Sequence, residues 1–217
     1  MGPPEAKRQR VDNDELRDWT TIFDAERPHL GDSSSLQAQV VSVMQKGGFR
    51  ISSIDSLARN IAEVEKGYRD TPYHNFSHAT HVFLNSFLLL NKARINFTEV
   101  ERAAMLYSAI IHDYGHEGVT NIQLVKEGHP LSVKYDNISV AENFSIEAGL
   151  ALLEKEEFNF LGDFTVKEFF KFKCLVKTIV LATDIGNRDR VQKIYADTKA
   201  AVEAHNKKAT EEKDELR

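Results

Sequence analysis

The sequence predicts an all-α protein, and three observations carry that prediction. Apolar residues recur at intervals of three and four along most of the chain, sustained apolar and polar alternation is absent, and breaks rich in glycine or proline separate the periodic segments. With 217 residues, 41% hydrophobic and 28% charged, the chain has an ordinary globular composition and the length for one domain with its own core.

Residues 1–35 are polar, carry Pro3, Pro4, Pro28 and the Ser33-Ser34-Ser35 run, and read as a flexible leader. The helical period then places helices over 36–44 and 54–64, with Gly47-Gly48 as the break between them. Helices over 82–90 and 100–111 follow, and Gly128-His129-Pro130 marks a second break before a helix over 140–153. The last two periodic segments are 164–182 and 191–202, so the folded domain is expected over 36–205. Residues 206–217 belong to a run of Glu, Lys and Asp with Leu216 the only large apolar residue, and read as a charged tail, either a solvated helical end or a frayed one.

Several function classes are disfavoured. The longest apolar candidate, residues 82–90, is broken by Asn85 and Ser86 and falls far short of the roughly 20 residues a membrane helix needs, so no span is expected. The start of the chain lacks an apolar signal core and has Ala6 where a myristoylation pattern requires Ser or Thr. Lys213 to Leu216 spell a retention signal, but Arg217 follows them. A net charge of −5 speaks against a nucleic-acid partner, and Lys7-Arg8-Gln9-Arg10 is too short a basic cluster to alter that. The single cysteine, Cys174, can form neither an internal disulfide nor a multi-thiolate zinc site, which fits a reducing, cytoplasmic setting.

The histidines carry the chemistry. The chain has 8, and His74, His78 and His81 form one cluster while His112 and His116 form another. On helices, His74 and His78 would project from one face one turn apart, as would His112 and His116, and such pairs can converge on one metal ion when helices pack. A lone pair of this kind reads as ordinary core or surface histidines. Here Asp113 follows His112 directly, beside the apolar run 103–111 that would carry both inward, and a buried aspartate needs a partner that a divalent cation supplies. Imidazole suits zinc, while carboxylate and water suit magnesium or manganese, so the mixed set is consistent with two different ions sharing Asp113. Such a pair of ions suits phosphate ester hydrolysis, with a non-ligating histidine as proton donor.

Tyr73-His74-Asn75-Phe76-Ser77-His78-Ala79 resembles the Tyr-His-Asn-x-x-His-Ala signature of class I 3′,5′-cyclic nucleotide phosphodiesterases, members of the HD-type metal-dependent phosphohydrolases. His112-Asp113-Tyr114-Gly115-His116-Glu117-Gly118-Val119-Thr120-Asn121 resembles the family's His-Asp-x-x-His-x-Gly-x-x-Asn, and segments 135–143 and 180–184 add further matches. The resemblance covers roughly residues 50–200 and implies a multi-helix catalytic domain that opens the 3′ ester of cyclic AMP or cyclic GMP in signal transduction. It implies that His78, His112 and Asp113 bind a zinc-like ion and that Asp113 bridges to a second ion, magnesium or manganese. It further implies that His116, Glu142 and Thr183 hold waters around the second ion, that His74 is the general acid, and that Tyr73 lines the substrate pocket. Outside their motif, Glu142 reads as a solvated helical glutamate and Thr183 and Asp184 as helix-end residues.

The sequence departs from the family at His81, which stands where the family has Asp or Asn, and at Phe144-Ser145, which replace a histidine-rich pair. The family's later metal-ligating aspartate and its purine-holding glutamine and phenylalanine have no counterpart before Arg217, so the resemblance implies a partial domain, missing its C-terminal helices. A second chain or a dimer completing the domain is the partner this implies. Two alternatives remain: another HD-type phosphohydrolase, and an inactive fragment that acts only as a binding module.

Overall fold

The computed structural model describes residues 35–93 and 95–215, whose regular structure is helical, with no strand among them. Helix α1 (Leu36–Met44) leads into α2 (Ile54–Gly67), α3 (Phe76–Lys92) and α4 (Glu99–Ile111). Two short helices, α5 (Asn121–Lys126) and α6 (Pro130–Lys134), precede α7 (Val140–Leu153), a 3-10 turn (Glu156–Phe158), α8 (Val166–Leu181) and α9 (Arg188–Glu215).

Five of the longer helices start where a side chain accepts one of the orphan backbone N–H groups of a first turn, whereas Ser139 before α7 makes no such bond. Ser35, Ser53, Asn75, Thr98 and Thr165 cap α1, α2, α3, α4 and α8 in this way. Thr98 with Glu101, and Thr165 with Glu168, close reciprocal capping boxes. This is why α8 begins at Val166 rather than at the apolar Phe164, which instead packs into the core one residue before the cap.

Helix α4 is the centre of the fold. Val100, Ala103, Ala104 and the unbroken stretch from Leu106 to Ile111 are buried, as expected of a helix enclosed on all sides. It packs most extensively against α8 and α3, while α1 covers α2 and α3. Small side chains permit this closeness: a Cβ on Gly149 of α7 would lie 2.6 Å from Ile111 Cδ1. Tyr107, wholly buried, donates its hydroxyl to Gly149 O at 2.7 Å and ties α4 to α7. At the other end of α4, Arg50 bridges Glu99 and Glu168, both at 2.7 Å, and so joins the first turns of α4 and α8.

The expected helices over 36–44, 54–64, 82–90, 100–111, 140–153, 164–182 and 191–202 all correspond to observed ones, and the Gly47-Gly48 and Gly128 breaks fall between helices. α3 starts six residues before the apolar run, because Asn75 caps it within the histidine motif. Sequence periodicity missed α5 and α6, which are too short to show a repeat. The leader expected over 1–35 lies, but for Ser35, outside the described residues, while the charged stretch after residue 205 continues α9 as far as Glu215. Among the described residues no helix is long and apolar enough to cross a membrane. Cys174 is free and faces solvent on α8, between the buried Phe172 and Val176.

Candidate metal centre

The two histidine clusters meet, and they do so at helix ends rather than on helix faces. Asn75 is the N-cap of α3: its Oδ1 accepts from His78 N–H at 3.0 Å and its Nδ2 donates to Thr71 O at 2.9 Å. His74 therefore precedes the helix and His78 occupies its first turn. Likewise His112 is the C-cap of α4 and His116 lies in the loop beyond it. The expectation of two His-x-x-x-His pairs, each on one helix face, is corrected accordingly. Capping, not helical spacing, sets the directions of these four rings.

His78, His112 and Asp113 offer ligand atoms that lie within 4.8 Å of one another. His78 Nε2 is 3.5 Å and His112 Nε2 3.1 Å from Asp113 Oδ2. Ligands about 2.1 Å from a zinc ion at tetrahedral angles sit roughly 3.4 Å apart, so the trio fits a single small cation. His112 Nδ1 donates to Ala109 O at 3.0 Å, which leaves Nε2 as the nitrogen that faces Asp113 with a lone pair to offer. This carbonyl bond is the support a metal-ligating imidazole characteristically has.

His116 is different. Its Nδ1 accepts from Gly118 N–H at 2.9 Å, so in the neutral ring Nε2 bears the proton. Although His74, Asp113 and His116 also bring ligand atoms within 4.8 Å of one another, His116 presents a donor rather than a lone pair. An Nε2–H can donate to an oxygen acceptor such as water. His74 stacks on His116 with centroids 3.8 Å apart, and Tyr73, 62% exposed, lies with its ring 5.0 Å from His74 and 4.4 Å from His78.

The electrostatics are those of a site waiting for positive charge. Burial would lift Asp113, but the hydrogen bond and charge of His112 outweigh it and hold the carboxyl below its ordinary value. Burial likewise opposes a charge on His112, yet Asp113 wins and raises it. His78 is lowered by burial and then by the charge of His112, and His116 by burial and then by His74. Divalent metal is consistent with both the family and the His/Asp cluster.

Glu142, in the first turn of α7, is largely buried, and burial raises its carboxyl. Asn121 Nδ2 donates to Glu142 Oε2 at 2.8 Å, while Asn121 Oδ1 accepts from Ala141 N–H at 2.9 Å. Thr183 is exposed at the end of α8 and its hydroxyl donates to Val180 O at 2.7 Å. His81 is exposed on α3 outside the trio.

Sequence reasoning assigned no role to Tyr68, whose hydroxyl donates to Ile110 O at 2.9 Å and accepts from Asp113 N–H at 3.3 Å. It also gave Asn121 no role, although that residue closes the quoted motif, and treated Asp184 as a helix-end residue. Asp184 is buried and accepts from Ser139 Oγ at 2.6 Å and Gly186 N–H at 3.0 Å, and Arg190 Nη1 donates to Ser139 Oγ at 3.0 Å. The family match over 180–184 was the signal available for it, but it named no role for the carboxylate. Gly115 has φ +72°, and a Cβ there would lie 2.3 Å from Phe144 Cε1, so the turn that aims His116 requires glycine.

The family of 3′5′-cyclic nucleotide phosphodiesterases matches residues 73–217. A dual 3′,5′-cyclic-AMP and -GMP phosphodiesterase beta from Plasmodium falciparum is 32% identical over 185 residues, covering 82% of this chain and 16% of that protein. A probable 3′,5′-cyclic-AMP phosphodiesterase from Caenorhabditis elegans is 29% identical over 205 residues, covering 92% of this chain and 30% of that protein. The crystal structure of the phosphodiesterase domain of a RhoPDE fusion protein from the choanoflagellate Salpingoeca rosetta aligns with a TM-score of 0.69 at 29% identity, covering 79% of this chain and 56% of that one. This chain therefore spans much less than two thirds of these curated relatives. Its fold, its paired motifs and these similarities agree: the chain belongs to the 3′,5′-cyclic nucleotide phosphodiesterase family.

Proposed function

We propose that the chain carries metal-dependent hydrolysis of the 3′ ester of cyclic AMP or cyclic GMP to the 5′ monophosphate, in signal transduction. The observation that carries this reading is the trio His78, His112 and Asp113, with His112 Nδ1 tied to Ala109 O and Nε2 turned to Asp113. The trio would hold a zinc ion, and Asp113 would reach a second ion, magnesium or manganese. Cations held there supply neutralisation of phosphoryl charge and bring the pKa of a water towards about 7.

The chain's own residues do the rest. His116 donates Nε2–H to a water oxygen and orients it, with Glu142 and Thr183 as the further groups that hold waters. The oxygen of water bonds to phosphorus as the bond from phosphorus to O3′ breaks. His74 gives its proton to the departing O3′, and the proton lost by the water restores it over the cycle. Tyr73 lines the pocket in front of both rings.

The single free thiol, Cys174, supports a reducing, cytoplasmic setting. A second chain or a dimer that completes the site is part of the same reading. Support comes from the cavity beside Asn121 and Asp184, whose wall includes the exposed Ile122 and Ile138, with Ile185 next to it 86% exposed.

Hydrolysis of cyclic AMP and cyclic GMP, followed with added magnesium or manganese, tests the reading. Activity that vanishes in His112→Ala and Asp113→Ala is the expected result. Full activity in either variant overturns the assignment, and cleavage of nucleoside monophosphates but not cyclic nucleotides would favour another phosphohydrolase.

A further inference from the structure

Helix α4 ends at Ile111 because a side chain from another helix enters its hydrogen-bond ladder. In a continuing helix Asp113 N–H would bond Ala109 O, and Tyr114 N–H would bond Ile110 O. Here Ala109 O receives His112 Nδ1–H at 3.0 Å, and Tyr114 N–H turns to Ile111 O at 2.9 Å. The two groups thus released, Ile110 O and Asp113 N–H, both go to the hydroxyl of Tyr68, at 2.9 and 3.3 Å. One oxygen replaces the next rung of the ladder, donating on one side and accepting on the other.

Tyr68 is well placed to do this. It is the C-cap residue of α2, its ring centroid lies 5.8 Å from that of Phe76 at the start of α3, and 6.2 Å from that of Tyr114. Phe76 lies two residues before His78, so a single ring touches the segments that bear all three members of the trio.

We infer that Tyr68 is a positioning residue of the metal centre: its hydroxyl terminates α4 and fixes the peptide before Asp113, and thereby sets the aim of His112 and Asp113 toward a common cation. The inference rests on the metal reading proposed above. A residue that orients ligands through one bond typically changes metal affinity by 10–100-fold when altered. Tyr68 acts through the backbone, so the expected effect lies near the lower figure, about tenfold.

The test uses the full chain, zinc and cobalt(II), and the variant Tyr68→Phe, which keeps the ring against Phe76 and Tyr114 and removes only the hydroxyl. Tyr107→Phe is the control, since it deletes an equally buried hydroxyl bond on the same helix away from the trio. Zinc affinity is read by competition with a chelator, and the visible spectrum of bound cobalt reports ligand geometry independently of stability. About tenfold weaker zinc binding and an altered cobalt spectrum in Tyr68→Phe, with both unchanged in Tyr107→Phe, support the inference. Unchanged affinity and spectrum in Tyr68→Phe overturn it, even where both variants melt earlier, because that pattern marks a structural role alone. Failure of the unaltered chain to bind either metal, or undiminished binding in His112→Ala, would instead remove the metal reading and this inference with it.

Discussion

His74 and His116 stack with ring centroids 3.8 Å apart and planes inclined by only 20°. Burial opposes a charge on His116, and a ring this close adds to that opposition. The backbone N–H of Gly118 on His116 Nδ1 is satisfied only by a ring with a lone pair there, which favours the neutral form of His116 in the same direction.

Replacing His74 with Asn should therefore raise the pKa of His116. Burial and then the His74 charge lower it in the intact chain, and the substitution removes the second cause while leaving the first. Proton NMR titration of the His116 ring should show the pKa moving up towards the ordinary value of about 6.5. No movement would mean that the two rings do not communicate. With His74 as the general acid proposed above, the same variant should lose about 10²–10⁴-fold in cyclic nucleotide turnover.

Asn121→Leu should weaken whatever Glu142 holds. Asn121 donates to a carboxylate that burial already raises, so losing the donor shifts Glu142 further up and makes its charged form costlier to hold. Calorimetric titration with magnesium should show about 10–100-fold weaker binding. Unaltered binding would separate Glu142 from the second ion.

Gly115→Ala should cost about 1–3 kcal/mol of stability, because φ +72° is strained for any Cβ-bearing residue and this Cβ would strike the ring of Phe144. Urea denaturation measures it. Combining the change with Phe144→Ala should recover the steric part but not the backbone part, giving less destabilisation than the two single changes added together.

The acid limb of stability should depend in part on Lys171. Its hydrogen bond, with those of Thr98, depresses Glu101 from 4.5 to about 2. A depressed carboxyl contributes stability that is complete above pH 4.5 and is lost as the pH falls through about 2. Lys171→Met should therefore lower the unfolding free energy at pH 7, by less than about 1 kcal/mol after solvent screening of this half-exposed pair, with the gap closing as the pH approaches 2. A gap that persists unchanged at low pH would assign the effect to lost packing.

The helices were legible because their apolar stripes are long, as in α4 and α7, where the predicted and observed bounds differ by at most a residue. The histidines and Asp113 were legible as a set because two short motifs concentrate them. Their geometry was not. Reading His74 with His78 as one helical face overlooked Asn75, an N-cap residue that forces the helix to begin after His74. The contacts made by Tyr68 and Asp184 were invisible for another reason. Tyr68 acts on residues 42 and 45 positions away, and Asp184 on Ser139, which is also 45 away, so no local spacing announces either one.

Ile111 is wholly buried, and the next two residues are His112 and Asp113, the ligands proposed above. Core and chemistry thus adjoin along α4 without sharing a residue. In evolutionary terms the two can drift separately: exchanges up to Ile111 are screened by whether the bundle still folds, those from His112 onward by what the cation can do, and the border between the two regimes is one peptide bond wide.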